Sequence, residues 1–350
     1  MFPVPPDLLA IVQAMPKIEL HRHLEGSLRL SSLLDIARQY GMAMAEYDEE
    51  TLQPFVQMMP DETRDSRHFL NKFLTLRQFY RSMEVIERLT REVVEDAAAD
   101  NVRYMELRFT PRALCAFTQA PLDEVVRLVC QTGNQAARAS QMNLRYIVSM
   151  NRHEGVELGE QVLRAALRHC ADGVVGLDLA GDEAGYSALP FLSIFRRAKA
   201  EGLFVTIHAG EWAGAESVWD AVGSLKADRI GHGIHVLEDM GMVEVLRRAE
   251  IALEICPSSN VLSGIVDSLE AHPLALLTSF DLLTTINTDD PSVCAVTLSE
   301  EMARAVTYMG LSLDDLRAAT LRAAKAAFLP PTERADLLHQ MSQALSTPSI

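Results

Sequence analysis

The chain has 350 residues, 48% of them hydrophobic and 23% charged, which suits one large α/β unit and excludes disordered, collagen-like and disulfide-scaffold proteins. Lys and Arg number 32 against 48 Asp and Glu, and the formal charge of −16 argues against a broad nucleic-acid or anionic-membrane surface. A small neutral or cationic ligand is not excluded. The N-terminal stretch MFPVPPDLLAIVQAMPK puts Pro and Asp where a signal peptide needs an unbroken apolar core. No apolar run approaches the roughly eighteen residues of a membrane helix, and the chain is read as soluble and cytoplasmic. Five scattered cysteines without a C-x-x-C pair fit reduced thiols and give no cysteine metal site.

Predicted strands follow in order as short β-branched or apolar runs: Lys17–His23, Val102–Phe109, Leu144–Met150, Val174–Leu179, Phe204–His208, Arg229–His232, Ile251–Ile255 and Leu282–Asn287. Helical spacing fills the intervals, as in Ser66–Arg81, Glu84–Asp100, Leu122–Gln141, Glu160–His169, Pro190–Ala200, Met240–Arg248 and Ser268–Leu277. Strands alternating with helices imply parallel pairing with crossover helices. Eight of them fit a closed (β/α)8 TIM barrel. An open doubly wound sheet usually carries a Gly-rich phosphate turn after its first strand, and HLEGSLRL has a single glycine there. Residues 24–101 and 297–345 exceed a minimal barrel and are expected to be extra helices, placed where lids and substrate walls are built. With no Pro/Gly/Ser-rich linker, residues 1–350 are read as one domain.

The chemistry collects at the expected strand ends. His21 and His23 are two apart on a strand, so both face the lumen near the catalytic mouth while Arg22 points away. Later strands end in DLAGDE, HAGE, GHG, CPSSN and NTDDP. Polar loops beginning where strands stop would explain one or two such clusters, but not five. His21, His23 and His208 offer neutral nitrogens and Asp289 a carboxylate, which leaves a position for water on one divalent ion, zinc or another borderline metal. There is no H-E-x-x-H, and the H-x-E…P-C-x-x-C pattern of nucleic-acid base deaminases is missing.

The strings HRHLEGS, DLAGDE, HAGE, RIGHG, CPSSN and NTDDP, in that order from about Pro16 to about Leu329, resemble the adenosine deaminase family of the amidohydrolase superfamily. The resemblance implies that His21, His23, His208 and Asp289 hold the metal and that Glu211 protonates purine N1. It implies that His232 orients or deprotonates the attacking water. Asp290 would lie against N7, and the backbone of Gly181 would donate to N3. His23 and Glu25 fall beside the substrate, and Phe69 and Phe73 match a helix that gates the site in relatives. The activity so implied is hydrolysis of adenosine and 2′-deoxyadenosine to the inosines, with an uncharged aminopurine nucleoside as the small-molecule partner, neither nucleic acid nor membrane, and the oligomeric state left open. Many family members carry aspartate after H-x-H-L, where it binds the ribose 5′-hydroxyl. Glu25 stands here instead, so adenine or a 5′-extended adenosine such as aminodeoxyfutalosine is the alternative substrate. A 5′-phosphate is disfavoured by Glu25 and by the lack of a Lys/Arg cluster around these motifs. Glu183 is left without a role, and His235 is read as structural.

Overall fold

A computed structural model describes residues 2–346. Eight parallel strands run in the order β1 (Lys17–His23), β2 (Val102–Phe109), β3 (Asn143–Asn151), β4 (Val174–Ala180), β5 (Phe204–Ala209), β6 (Arg229–His232), β7 (Ala252–Ile255) and β8 (Thr284–Ile286). Each pairs with its sequence neighbour, so the α/β barrel is built by successive crossovers. The seam between β8 and β1 is closed just past the end of β8. There Asp289 N–H donates to the His21 carbonyl (2.9 Å) and His23 N–H donates to the Asp289 carbonyl (2.8 Å). The seam itself therefore fastens three site residues to one another.

Strand β1 does not alternate regularly. Its pairing with β2 slips between Glu19 and Arg22, where Leu20 and His21 on β1 face the single residue Glu106 on β2. Such a bulge flips the parity of everything beyond it. Ile18 and Leu20 face the lower lumen, in a cluster with Tyr104. The bulge then turns His21 and His23 inward as well, toward His208. Arg22 donates to Ser27 Oγ (3.2 Å) away from this cluster, as alternation requires.

The residues between β1 and β2 form α1 (Leu30–Gln39), α2 (Glu49–Val56), α3 (Ser66–Leu76) and α4 (Met83–Ala99), with a tight turn at Arg77–Phe79. Asp65 starts α3 by accepting the His68 N–H (2.8 Å), and the helix lies over the C-terminal mouth of the barrel. The final helices, Leu298–Met309, Leu313–Ala326 and Pro331–Ser346, are where the sequence places extra helices, but part of this segment serves the opposite end. Ala323, Ala324, Ala327, Leu329, Leu337 and Met341 pack under Ile18, Leu20 and Tyr104, near the strand N-termini. Phe328 stacks on Phe204 at 4.7 Å and lies 3.5 Å under the Arg229 guanidinium. The helix Leu313–Ala326 packs against β8 and β1, and with Pro331–Ser346 it closes this end of the barrel and builds no substrate wall there.

One predicted helix is shorter than its periodicity suggests. Only Leu274–Ser279 is helical within and beyond Ser268–Leu277, because Pro273 cannot continue a helix from its N-terminal side. Instead the Leu274 N–H is taken by the ring of His272. Among the described residues no helix is long and apolar enough to cross a membrane.

Candidate active site

Inside the barrel, beneath the mouth, five charged side chains are sealed from water. Glu254 accepts from Arg108 (2.7 Å) and Arg229 (2.5 Å), and Arg229 also donates to Glu106 (2.6 Å). Arg108 lies 3.6 Å from Asp178. The sequence motifs miss most of this network. Its signal is nonetheless present as the charges Glu106, Arg108, Arg229 and Glu254, set in strands that are otherwise apolar. Burial alone would push the Glu254 carboxyl up, but Arg108, Arg229 and His21 hold it well below the usual carboxylate range.

The network aims two imidazoles. Glu254 takes a hydrogen bond from His21 Nδ1 (2.8 Å), and Asp178 takes one from His208 Nδ1 (3.0 Å). Each bond puts the ring proton on Nδ1 and leaves the Nε2 lone pair facing the cavity. His21 Nε2 and His232 Nε2 are buried with no hydrogen-bond partner. His23 Nε2 lies 3.3 Å from His208 Nε2, and Asp289 Oδ1 lies 3.2 Å from His21 Nε2 and 3.4 Å from His23 Nε2. His21, His208, His232 and Asp289 offer ligand atoms mutually within 4.8 Å. The Nε2 lone pairs of His21 and His208 and the Asp289 carboxylate, this close and dry, are the arrangement that a divalent cation satisfies, so the donor set fits a metal site.

Asp289 and Asp290 are adjacent in sequence and opposite in behaviour. Burial would raise Asp289, but the surrounding histidines, His21 first, hold its carboxyl well below the usual range. Ser259 Oγ donates to its second oxygen (2.7 Å). Burial, together with Asp289, Glu25 and Glu211, pushes Asp290 well above that range, and its Oδ1 has no partner. The environment thus pushes the pair apart, Asp289 toward the anion and Asp290 toward the neutral acid that can donate. Asp290 lies so close to Gly26 that any Cβ there would overlap its carboxyl, which accounts for the glycine of HRHLEGS.

Glu211 is likewise pushed well above the usual range, first by burial and then by Asp289 and Glu183. Its position is set by Glu183, whose role the motifs leave open. One Glu183 oxygen accepts the N–H of Gly210 (2.7 Å), and the other accepts those of Glu211 (2.9 Å), Trp212 (2.6 Å) and Ala213 (3.2 Å). A single buried carboxylate therefore holds the whole turn after β5. Replacing Glu183 by Ala is expected to lower kcat/KM by about 100-fold while the protein still binds metal, because the turn and its acid would shift together. Unchanged kinetics with normal metal content would show that the turn holds its shape without that anchor.

Two non-glycine residues in the site, His232 and Asp289, have φ of 61°, in the left-handed region. That conformation is costly for a side chain and concentrates at functional positions. His235 Nδ1–H donates to the Gly210 carbonyl (3.2 Å) and the residue is half-buried, a structural place outside the histidine cluster.

A cavity of about 250 Å³ opens above these groups. It is lined by His23, Glu25, Gly181, His208, Glu211, His232, Asp289 and Asp290, and by Phe69, Leu70 and Phe73 on α3. All the expected substrate-side positions therefore share one cavity. Gly181, at φ 88°, brings its backbone against the wall, and a Cβ there would stand 3.0 Å from His153 Nδ1. Asn151, His153, Trp212, Thr110 and Arg77 also line the cavity, and sequence reading did not select them. Glu25 accepts the Thr110 N–H on one oxygen (2.7 Å), while its other oxygen is buried and unpartnered. The Arg77 Nε is also buried without a partner, so the site does contain a guanidinium, delivered from far along the chain.

The family model for adenosine deaminase matches residues 16–344. The chain is 37% identical to an adenosine deaminase of Klebsiella pneumoniae (strain 342) over 333 residues, covering 95% of this chain and 99% of that one. It is similar in structure to an adenine deaminase from Arthrobacter aurescens, with TM-score 0.87 and 25% identity over 95% of this chain and 100% of the other. The N6-methyl-AMP deaminase of Arabidopsis thaliana superposes with TM-score 0.83 and 29% identity, covering 96% and 98%. A match of this extent, laid over a buried His/Asp cluster at a barrel mouth, places the chain in the adenosine deaminase family, as a hydrolytic deaminase of that type.

Proposed function

We propose that the protein deaminates adenosine and 2′-deoxyadenosine to inosine and 2′-deoxyinosine, releasing ammonia. The observation that carries this reading is the set of donors in the cavity. Burial raises both the Glu211 and Asp290 carboxyls, so each presents a proton, and the Gly181 backbone supplies an N–H. A purine has three ring nitrogens available as acceptors around C6: N1, N7 and N3. Three donors on the walls match them.

His21, His23, His208 and Asp289 would hold a divalent ion, zinc foremost given three nitrogens and one carboxylate. When bound, the ion supplies Lewis acidity, which makes a nucleophile of water at neutral pH. Glu211 gives its proton to N1 as attack at C6 loads negative charge onto the ring, and so removes that charge. Asp290 and Gly181 hold the ring through N7 and N3, which fixes C6 below Glu211. His232, at the same mouth, steers the attacking oxygen. Phe69, Leu70 and Phe73 cover the ring with apolar surface and exclude water.

The unpartnered oxygen of Glu25 and the unpartnered Arg77 Nε support a ribose hydroxyl at the outer end, since one hydroxyl both donates to a carboxylate and accepts from a guanidinium. Zinc-loaded protein is expected to turn over adenosine and 2′-deoxyadenosine, read as loss of adenosine absorbance with equimolar ammonia. Arg77→Met should lower kcat/KM on adenosine roughly 10- to 100-fold. Activity confined to adenine, or to a 5′-extended adenosine such as aminodeoxyfutalosine, would replace this reading by that alternative, with which Glu25 is also compatible.

A further inference from the structure

The site's histidines are not all held in the same way. His21 and His208 are tied through Nδ1 to carboxylates, whereas His232 is tied through Nδ1 to an amide, Asn260 Nδ2, at 3.1 Å. The direction of that bond can be read from its far end. The backbone N–H of Leu274 points at His272 Nδ1 (3.1 Å), and a peptide N–H can only donate. His272 is buried with no charged partner, and burial pushes its pKa down to about 3, so the ring is neutral. A neutral imidazole that accepts at Nδ1 carries its proton on Nε2. That nitrogen lies 3.2 Å from Asn260 Oδ1. Asn260 therefore turns its carbonyl to His272 and its NH2 to His232 Nδ1, which must accept.

We propose that this relay, Leu274 N–H to His272 to Asn260 to His232, fixes the His232 proton on Nε2 and makes His232 a hydrogen-bond donor at the point of attack. Asn260 and His272 are positioning residues that act through it. The Nε2–H faces the cavity, with Glu211 and Asp289 oxygens 3.6 and 3.8 Å away and no partner of its own. The relay sorts the imidazoles. His21 and His208 bring lone pairs suited to a metal, while His232 brings a proton that orients the oxygen attacking C6. In this state His232 neither ligates an ion through Nε2 nor takes the water's proton there. The functional part of the inference rests on the deaminase reading, whereas the proton's location does not.

Protein labelled with 15N in its histidine rings, with and without zinc, reports the location directly from the ring-nitrogen shifts. The His232 signals are those that His232→Asn removes. The expected result is Nε2–H in both states. Asn260→Asp can only accept, so it should move the His232 proton to Nδ1 and lower kcat roughly 10- to 100-fold. If that variant does not fold, the His272 pair decides. His272→Gln still offers an N–H to Asn260 and should keep the Nε2–H form, whereas His272→Leu frees the amide to flip and should give a mixture. Nδ1–H in the unmodified protein, or an Nε2–H form untouched by Asn260→Asp and His272→Leu, overturns the proposal. Nε2–H in a protein that releases ammonia from no aminopurine would leave the relay standing and overturn the deaminase reading instead.

Discussion

Glu211→Gln is expected to cut kcat on adenosine by about 1,000-fold, within the range of roughly 100- to 10,000-fold that a positioned acid contributes. The substitution keeps the shape of the side chain and an N–H that can reach N1, but the amide has no proton to transfer. Metal content and the affinity for the inosine product should change little, since Glu211 is not among the residues assigned to the ion. Burial and the neighbouring carboxylates Asp289 and Glu183 raise the Glu211 pKa, and the acid form is the active one. The rate should therefore hold below that raised pKa and fall as pH rises through it, and Glu211→Gln should remove this alkaline fall. Stopped-flow turnover across a pH series measures both effects. A variant with full activity on adenosine and bound metal would leave Glu211 without the role of N1 donor.

The second large effect lies beneath the site. Glu254→Leu should destabilise the fold by about 3–5 kcal/mol, because it strands two guanidiniums, Arg108 and Arg229, in a sealed lumen. The cost comes from the buried cations left behind, so it exceeds what the ion pairs add to the folded state. His21 loses the acceptor for its Nδ1–H in the same step, and metal affinity should drop a further 10- to 100-fold. The linkage sign follows from the depressed pKa of Glu254. Its contribution is present above the unfolded carboxyl pKa and is lost as pH falls through the folded value. Urea midpoints of the metal-free and zinc-loaded protein, compared at neutral and acid pH, separate the two losses. Equal midpoints for the variant and the parent would mean that the lumen charges are satisfied without Glu254.

The barrel was legible because its strands are short and its helices periodic, and because polar groups gather where strands end. His21 and His23 were legible as a pair, since two residues on one strand share a face. The bulge between Glu19 and Arg22 was not, because hydrophobic pattern on β1 says nothing of an extra residue that lets Leu20 and His21 both look inward. The floor formed by Ala323, Leu329 and Met341 also escaped the sequence, as helical periodicity reveals an apolar face without saying which end of the barrel it covers. Arg77 escaped for another reason. It belongs to no motif and reaches the cavity only because α3 folds over the mouth. Glu183 and Asn260 stood within quoted motifs, yet their work as acceptor of four backbone N–H groups and as a directional amide is a matter of three-dimensional contact.

The most direct test of the proposed chemistry is mass spectrometry of the product formed from adenosine by zinc-loaded protein in 18O-enriched water, with ammonia counted alongside. Inosine carrying one 18O at C6, and one ammonia per inosine, is the expected result. Intact adenosine under those conditions, alongside turnover of adenine or a 5′-extended adenosine, would contradict it.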